Sequence, residues 1–249
     1  CLAAFLEPES IMADNLAPRR KKMRLIAEAR YERIPEFIDV RGHLIAQLLP
    51  KVRKSVPNWQ AQEDKILFVD SEKQPADEFV IAFNRMSVIL EDPHSVNEFA
   101  DIARSKLRLA HEVIGKDIPT IARFGVRFIS IFDAPEFHTH AQLTKHIAEA
   151  TIRIPDAVPL KPTDSLVRLV HDQGVITIGP ASQGEEWVNR MFKRPDQNVP
   201  KSGIGIDVDS FARDSTIKTA EDFVLLFDAV MSLTVATETA YAHQLCLTK

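Results

Sequence analysis

Apolar and polar residues alternate most regularly between Thr120 and Asp133, and this alternation predicts a long β-strand. Successive side chains of a strand point to opposite faces of its sheet. The aromatic face is expected to pack on the core and comprises Ala122, Phe124, Val126, Phe128, Ser130 and Phe132. The other face is expected to begin at Ile121 and to carry Arg123 and Arg127. Gly125 lies between the two arginines and leaves the backbone bare there.

Other segments show the same kind of periodicity. Alternation predicts strands over residues 25–32, 65–70, 78–91, 165–171, 175–179 and 203–210. Apolar residues three and four positions apart predict helices over residues 35–50, 95–115, 137–150 and 219–245. Residues 185–193 fit either state. A three-residue hairpin loop, with Gly174 in the left-handed conformation, is expected at residues 172–174.

The order of these elements favours an α+β fold. Strands and helices do not alternate strictly, which disfavours a parallel sheet with crossover helices. We expect two antiparallel sheet-plus-helix halves, the second closed by the long C-terminal helix. A linker rich in proline (Pro155, Pro159 and Pro162) marks the boundary between them. The predicted organisation is a flexible tail over residues 1–20, an N-terminal subdomain over 21–154 and a C-terminal subdomain over 155–249.

Composition and charge narrow the class of protein. Of the 249 residues, 45% are apolar and 27% are charged, as in soluble globular domains. The formal net charge of −4 gives no general attraction to nucleic acid or to an anionic membrane. No apolar run approaches the ~20 residues that a membrane-spanning helix needs. Because the two cysteines, Cys1 and Cys246, lie at opposite ends of the chain, we expect a reducing compartment and a cytoplasmic protein.

Motifs for common ligands are missing or weak. The sequence contains no G-x-x-x-x-G-K-[ST], G-x-G-x-x-G, H-E-x-x-H, G-x-S-x-G or C-x-x-C, so no cofactor is expected. The basic run from Arg19 to Arg24 lacks aromatic support, and a nucleic-acid site is not expected there. We interpret this run as a solvated entry to the first strand.

Four charged residues form the most informative candidate set. Arg123 and Arg127 share one strand face, and Glu28 and Arg30 lie on a strand that is a possible neighbour. Opposite charges across two strands stabilise a sheet by about 0.2–1 kcal/mol per pair, so one interpretation is an ion-pair ladder. The alternative is a site for an acidic ligand, because guanidinium groups bind carboxylate or phosphate with two parallel hydrogen bonds.

Two further groups resemble metal ligands. Asp207 and Asp209 lie two residues apart on one predicted strand face, and paired carboxylates can hold Mg²⁺. The alternative is an ordinary solvent face. His138, His140 and His146 are close in sequence, but on a helix start residues two apart point away from each other. We therefore expect the histidines to be exposed rather than metal-bound.

The stretch Arg123-Phe124-Gly125-Val126-Arg127-Phe128-Ile129-Ser130 resembles the R-x-G-x-R-[FY]-x-N motif of a sporadically distributed family of uncharacterised bacterial proteins. That family is also similar in its early Glu-x-Arg strand, its D-x-D-like strand and its long terminal helix. The resemblance covers most of the chain from about Arg24 onward. The chain departs from the motif at Ser130, where asparagine is expected, and at Ile131, where arginine is expected. The resemblance implies a fold but no activity, substrate or cofactor.

These patterns lead to two hypotheses of different classes. The first is a non-enzymatic binding or regulatory protein that recognises a protein partner or an acidic ligand through a sheet face or edge. Its long terminal helix could equally pack across a second copy in a homodimer. The second is a metal-dependent hydrolase or nuclease that uses Asp207 and Asp209.

Overall fold

The computed structural model describes residues 19–53, 56–70, 77–114, 120–152, 166–194 and 197–247. Within these residues the chain forms nine strands and five helices. The strands are β1 (Arg20–Tyr31), β2 (Asn58–Ala61), β3 (Lys65–Val69), β4 (Glu78–Ala82), β5 (Arg85–Glu91), β6 (Thr120–Asp133), β7 (Val167–His171), β8 (Gly174–Pro180) and β9 (Gly203–Thr216). The helices are α1 (Phe37–Val52), α2 (Val96–Ile114), α3 (His140–Thr151), α4 (Glu186–Met191) and α5 (Ala220–Gln244).

All nine strands join one antiparallel sheet, in the order β2-β3-β4-β5-β1-β6-β9-β8-β7. The predicted α+β class is therefore confirmed. The strands of the two predicted halves meet where β6 pairs with β9 over most of its length. The proline-rich linker lies outside the described residues, and the division into subdomains stays a prediction.

One face of the sheet, which we call the covered face, carries most of the helices. Buried side chains of α1, α2 and α5 pack there against β1, β5 and β6 in the largest hydrophobic cluster. A second cluster joins α3 and the end of α5 to β7, β8 and β9. Helix α5 begins with a capping box, in which Thr219 and Asp222 satisfy each other's backbone N–H groups. These contacts place nearly all of the core on the covered face.

Helix α5 is long and apolar enough, by length and composition alone, to cross a membrane. The expectation that no segment reaches this length is therefore wrong for α5. In the fold, however, the helix is a packed element of the covered face. Its residues Phe223, Phe227 and Met231 are buried in the same cluster as the side chains of β6.

The opposite face of the sheet, which we call the open face, is covered at one end by α4. Ile129 and Ile131 pack there under Val188 and Phe192. Gly205 makes room for the ring of Trp187, since a Cβ at that position would lie 2.4 Å from a ring carbon. The rest of the open face carries no helix within the described residues.

Hydrogen bonds hold the end of α4 and the residues after it on the open face. The main-chain carbonyl of Met191 accepts a hydrogen bond of 2.5 Å from Arg24 on β1. The carboxylate of Glu91 on β5 accepts one of 3.0 Å from the backbone N–H of Lys193. These bonds hold the end of α4 and the residues after it against β1 and β5.

Several predicted elements need correction. Residues 78–91 form two strands rather than one, because Phe83 and Asn84 make a turn that pairs β4 with β5. The hairpin of β7 and β8 is confirmed, but Gly174 is the first residue of β8 and Gly184 is the described glycine with positive φ. Residues 185–193 contain the short helix α4.

The pairing of β1 with β6 is irregular at two places, and one of them explains a further error in the prediction. Between the pairs Arg30–Arg123 and Tyr31–Ile121, β6 carries one extra residue, Ala122. This bulge reverses the faces, so Ile121 is buried and Ala122 is exposed, the opposite of the prediction. A second shift lies between Arg20 and Lys22 of β1.

The prediction that the basic run at the start of β1 is solvated is wrong for two of its residues. The side chains of Arg20 and Lys22 are buried and bind carboxylates. Arg20 binds Glu238 of α5 on the covered face, with both carboxylate oxygens 3.0 Å from Nη2. Lys22 is 1% exposed and contacts the carboxylates of Glu91 and Asp92 at 3.3 and 2.9 Å.

Candidate functional site

The charged residues predicted from sequence as two separate sites lie together on the open face. They occupy the three central strands β1, β6 and β9, which pair with one another over long stretches. The set is Glu28, Arg30, Arg123, Arg127, Asp207 and Asp209. The two arginines of the predicted ligand site therefore stand between the predicted glutamate and the predicted metal ligands.

The strongest contact in this set joins Arg127 to Asp207. Nε and Nη2 of the guanidinium donate to the two carboxylate oxygens at 2.8 and 2.6 Å, the two-pronged geometry that suits this pair of groups. These hydrogen bonds raise the pKa of Arg127 above its ordinary value. The side chain of Asp207 is 7% exposed, so the pair is largely shielded from water on the carboxylate side.

Arg123 makes the second pair, with Asp209. Its Nη2 lies 2.6 and 2.8 Å from the two carboxylate oxygens, and its guanidinium stacks 4.7 Å from the ring centre of Phe211. The guanidinium lies over the bare backbone of Gly125, where a Cβ would come within 2.7 Å of Nη1. The glycine noticed in the sequence thus provides the space in which Arg123 reaches β9.

The predicted ion-pair ladder exists, but its acids come from β9. Glu28 accepts a hydrogen bond of 2.7 Å from Arg30, two residues away on its own strand, and does not bind either arginine of β6. Sequence patterns could not reveal this, because nothing in them states that β6 lies between β1 and β9. One signal in the sequence did point to this pairing. The two arginines share one face of a predicted strand, the two aspartates share one face of another, and the two faces carry opposite charges.

The proposed metal ligands are already occupied. Asp207 and Asp209 both direct their oxygens to arginines, so a cation would have to displace two guanidinium groups. In the described part of the chain, no three histidine, cysteine, aspartate or glutamate side chains gather in a way that could hold a metal ion. His138 and His140 are exposed at the start of α3, as expected, whereas His146 is half-buried against Phe137.

A groove of about 620 Å³ runs beside the ion pairs, between α4 and the outer strands β8 and β7. Arg127, Asp207 and Asp209 form its inner side. Trp187 of α4 and the strand β7 flank it further out. A smaller cavity of about 170 Å³ over Glu28 and Gly125 shares Arg127 and Asp209 with the groove as lining residues.

Most charges in the groove cancel in pairs. Besides the two arginine–aspartate pairs, Arg190 binds Glu186 within α4, and His140 lies 3.3 Å from Glu185. Arg168 of β7 lines the groove without an ion pair to any residue in the described ranges. Thr177 is its cross-strand partner and separates it from Asp207 on β9.

Sequence reasoning missed Arg168 and Trp187. Neither residue belongs to a motif. Arg168 lines the groove because β7 pairs with β8, and Trp187 lines it because of the position of α4. A scan against models of known protein families finds no match to this chain, and a comparison with curated proteins finds none either. The resemblance stated from the sequence therefore stays a prediction, and the functional argument rests on the geometry of the open face.

Proposed function

We propose that this is a binding protein, which holds an extended segment of a partner protein along β7 with an acidic side chain of that segment at Arg168. The observation that carries the proposal is the edge of the sheet beside the groove, where β7 pairs with β8 alone among the described strands. Leu166 is 61% exposed and Val170 is 72% exposed, and they flank Arg168 on the groove side of β7. A surface of this pattern fits a segment with apolar, acidic and apolar residues at alternate positions.

The edge strand supplies the backbone part of the recognition. In the described residues β7 pairs with β8 on one side and with no strand on the other. Such an edge presents unpaired N–H and C=O groups that an added strand can satisfy. The strand at the opposite edge, β2, has four residues and follows Pro57, so it offers a shorter template.

The charge of Arg168 supplies the specificity. Strands lie about 4.8 Å apart, so Thr177 keeps Arg168 roughly two strand spacings from Asp207, whose oxygens already bind Arg127. An acidic residue on an added strand would lie directly opposite Arg168 at a distance of one spacing. Cross-strand pairs of opposite charge are favourable, whereas a basic residue at the same place would be repelled.

A cytoplasmic location belongs to the same proposal. Cys246 is exposed and free, which suits a reducing compartment. A partner protein with an exposed acidic segment would then meet this edge strand inside the cell.

The test uses Trp187 as a reporter of the groove. The chain has two tryptophans, and Trp59 lies on β2 at the far edge of the sheet, so Trp59→Phe leaves Trp187 as the single emitter. The capped peptide Val-Thr-Glu-Thr-Val should change Trp187 emission with a saturable curve. The matched peptide Val-Thr-Gln-Thr-Val should bind at least tenfold more weakly, because it lacks the carboxylate.

A charge reversal locates the binding site. Arg168→Glu in the Trp59→Phe background should abolish the response to the glutamate peptide, while Arg53→Glu, at the exposed end of α1, should leave it unchanged. Equal binding of the two peptides, or binding that survives Arg168→Glu, would overturn the proposal.

A further inference from the structure

The sequence before β1 contains a stretch that is complementary to the groove side of β7. Residues 1–18, which we call the N-terminal segment, carry no lysine or arginine and three acidic side chains, those of Glu7, Glu9 and Asp14. Within this segment Met12, Asp14 and Leu16 place an acidic residue between two apolar residues at alternate positions. This is the order of side chains that the surface of β7 calls for.

The side chains of β7 present the matching order of apolar, basic and apolar residues. On its groove side lie Leu166, Arg168 and Val170. Side chains on one face of a strand repeat at every second residue. When Asp14 lies opposite Arg168, its two apolar neighbours therefore lie opposite the two apolar residues that flank Arg168, in either strand direction. A cross-strand pair of opposite charge stabilises a sheet, and the two apolar pairs remove exposed surface from water.

The proline-rich linker before β7 repeats the same order of residue types, and proline distinguishes it from the N-terminal segment. The linker residues with this order are Ile154, Asp156 and Val158. Pro155 lies within that stretch and Pro159 follows it directly, and proline has no N–H to donate to a neighbouring strand. The N-terminal segment has proline only at positions 8 and 18, outside residues 12–16. Residues 12–16 therefore keep every backbone donor that an added strand uses.

The N-terminal segment is too short to place these residues on β7 of its own chain. Arg19 is fixed beside β6, because its carbonyl accepts a hydrogen bond of 2.8 Å from the N–H of Asp133. Between β1 and β7 lie β6, β9 and β8, so a strand added to β7 would be five strand spacings, or about 24 Å, from β1. The three residue steps from Leu16 to Arg19 extend over about 10–11 Å at most. The residues can therefore reach β7 only on a second copy of the chain.

We infer that residues 12–16 of one copy add to β7 of a second copy, with Asp14 at Arg168, and that the exchange is reciprocal. This deepens the proposed function, on which it rests, by naming the partner as a second copy of the chain. Exchange of an identical element between two copies is a direct route to a dimer. Reciprocity limits the assembly to two copies, because each β7 edge is then covered and offers no template to a third.

Sedimentation velocity of the full chain over a range of concentrations tests the exchange. The wild-type chain should form a dimer. Arg168→Glu and Asp14→Lys should each weaken this dimer at least tenfold, because like charges then meet. The combined variant Asp14→Lys/Arg168→Glu should restore it, because opposite charges meet again. Asp156→Lys is the matched control in the linker and should leave the dimer unchanged.

Peptide binding separates this inference from the proposed function. In the full-length variant Asp14→Lys/Trp59→Phe, the capped peptide Met-Ala-Asp-Asn-Leu should change Trp187 emission with a saturable curve. The matched peptide Met-Ala-Asn-Asn-Leu should bind at least tenfold more weakly, because it lacks the carboxylate. The same variant should bind Val-Thr-Glu-Thr-Val at least threefold more tightly than Trp59→Phe alone does at concentrations where the latter is a dimer, because no segment of a second copy then competes for β7.

Four results would overturn the inference. The first is a wild-type chain that stays monomeric at every concentration, and the second is a dimer that both single variants retain. The third is a combined variant that stays monomeric. The fourth is loss of the dimer in Asp156→Lys, which would identify the linker as the occupant. If the chain is monomeric and Val-Thr-Glu-Thr-Val still binds at Arg168, the inference alone fails, whereas failure of both acidic peptides to bind would overturn the proposed function with it.

Discussion

Two arginine–carboxylate pairs on opposite faces of the sheet use the same chemistry in different surroundings. On the covered face, Arg20 binds Glu238 of α5, whose side chain is fully buried between that helix and the sheet. On the open face, Arg127 binds Asp207 with a guanidinium that is 35% exposed. The first pair joins a helix to the sheet, whereas the second joins two strands that already pair. The comparison teaches that burial and the elements joined, not the residue types, distinguish the two pairs.

The carboxylate of the covered pair has further partners, although Nε of Arg20 is buried without a hydrogen-bond partner. Glu238 accepts a further hydrogen bond of 2.7 Å from the hydroxyl of Ser130, and Arg20 lies 5.0 Å from the ring centre of Phe128. Burial raises the pKa of Glu238, while Arg20 and Ser130 act in the opposite direction. Ser130 occupies the place where the resemblance led us to expect asparagine, and it is a buried structural group on the covered face.

The largest expected effect comes from breaking the covered pair. Glu238→Ala leaves the Arg20 guanidinium buried without its carboxylate, and we expect a loss of about 3–5 kcal/mol in the free energy of unfolding, measured in urea. The double variant Arg20→Met/Glu238→Leu should lose much less, because neither charge then remains. The account would be contradicted if Glu238→Ala lost less free energy of unfolding than is expected for an exposed ion pair.

The open pair should matter less. Arg127→Ala removes two charge-assisted hydrogen bonds to a shielded aspartate, and we expect a loss of about 1–3 kcal/mol by the same urea measurement. Arg190→Ala is the matched control, since its exposed helical pair with Glu186 should contribute about 0.3–0.5 kcal/mol. If the two variants lost the same free energy of unfolding, the Arg127–Asp207 pair would contribute no more than an exposed helical pair, which would contradict this expectation.

His111 of α2 gives the covered face a pH dependence. Its ring is buried and stacks 5.6 Å from the ring centre of Phe223, and burial lowers its pKa below 6.5 against the opposing effects of Asp222 and Glu112. The unfolded chain therefore takes up this proton more readily. The contribution of the neutral ring is fully present above pH 6.5 and is lost as the pH falls through the lowered pKa.

Melting curves at pH 7.5 and 5.5 test this assignment. His111→Phe keeps an aromatic ring against Phe223 and should melt with a smaller difference between the two pH values than wild type. A difference as large as that of wild type would show that another group carries the pH dependence.

The smallest effect is expected at Gly125. In Gly125→Ala the new Cβ meets the end of the flexible Arg123 side chain, which can move away. We therefore expect the Arg123–Asp209 pair to be lost with a change in unfolding free energy of at most about 1 kcal/mol. Arg123→Ala should match it, and the double variant should add nothing. Additive losses would mean that Gly125 acts independently of Arg123.

The sequence was sufficient for what depends on local periodicity. It predicted the α+β class, the long C-terminal helix, and the charged face of β6 with its bare glycine. It failed where a distant partner decides the outcome. The burial of Arg20 and Lys22 depends on acids about 218 and 70 residues away, and strand alternation contains no such information.

The same reason explains the errors at the candidate site. Asp207 and Asp209 suggested a metal because paired carboxylates can hold Mg²⁺, whereas in the fold both bind arginines of a neighbouring strand. Ala122 shows that even the faces of one strand can reverse at a bulge.

The most direct test of the central claim, that an acidic segment joins the sheet at β7, is amide hydrogen exchange with and without the peptide Val-Thr-Glu-Thr-Val. An added strand would bond the outward N–H groups of β7, so their exchange should slow at least tenfold while that of β2 stays unchanged. Unchanged exchange in β7 at saturating peptide, or equal slowing in β2, would contradict the claim.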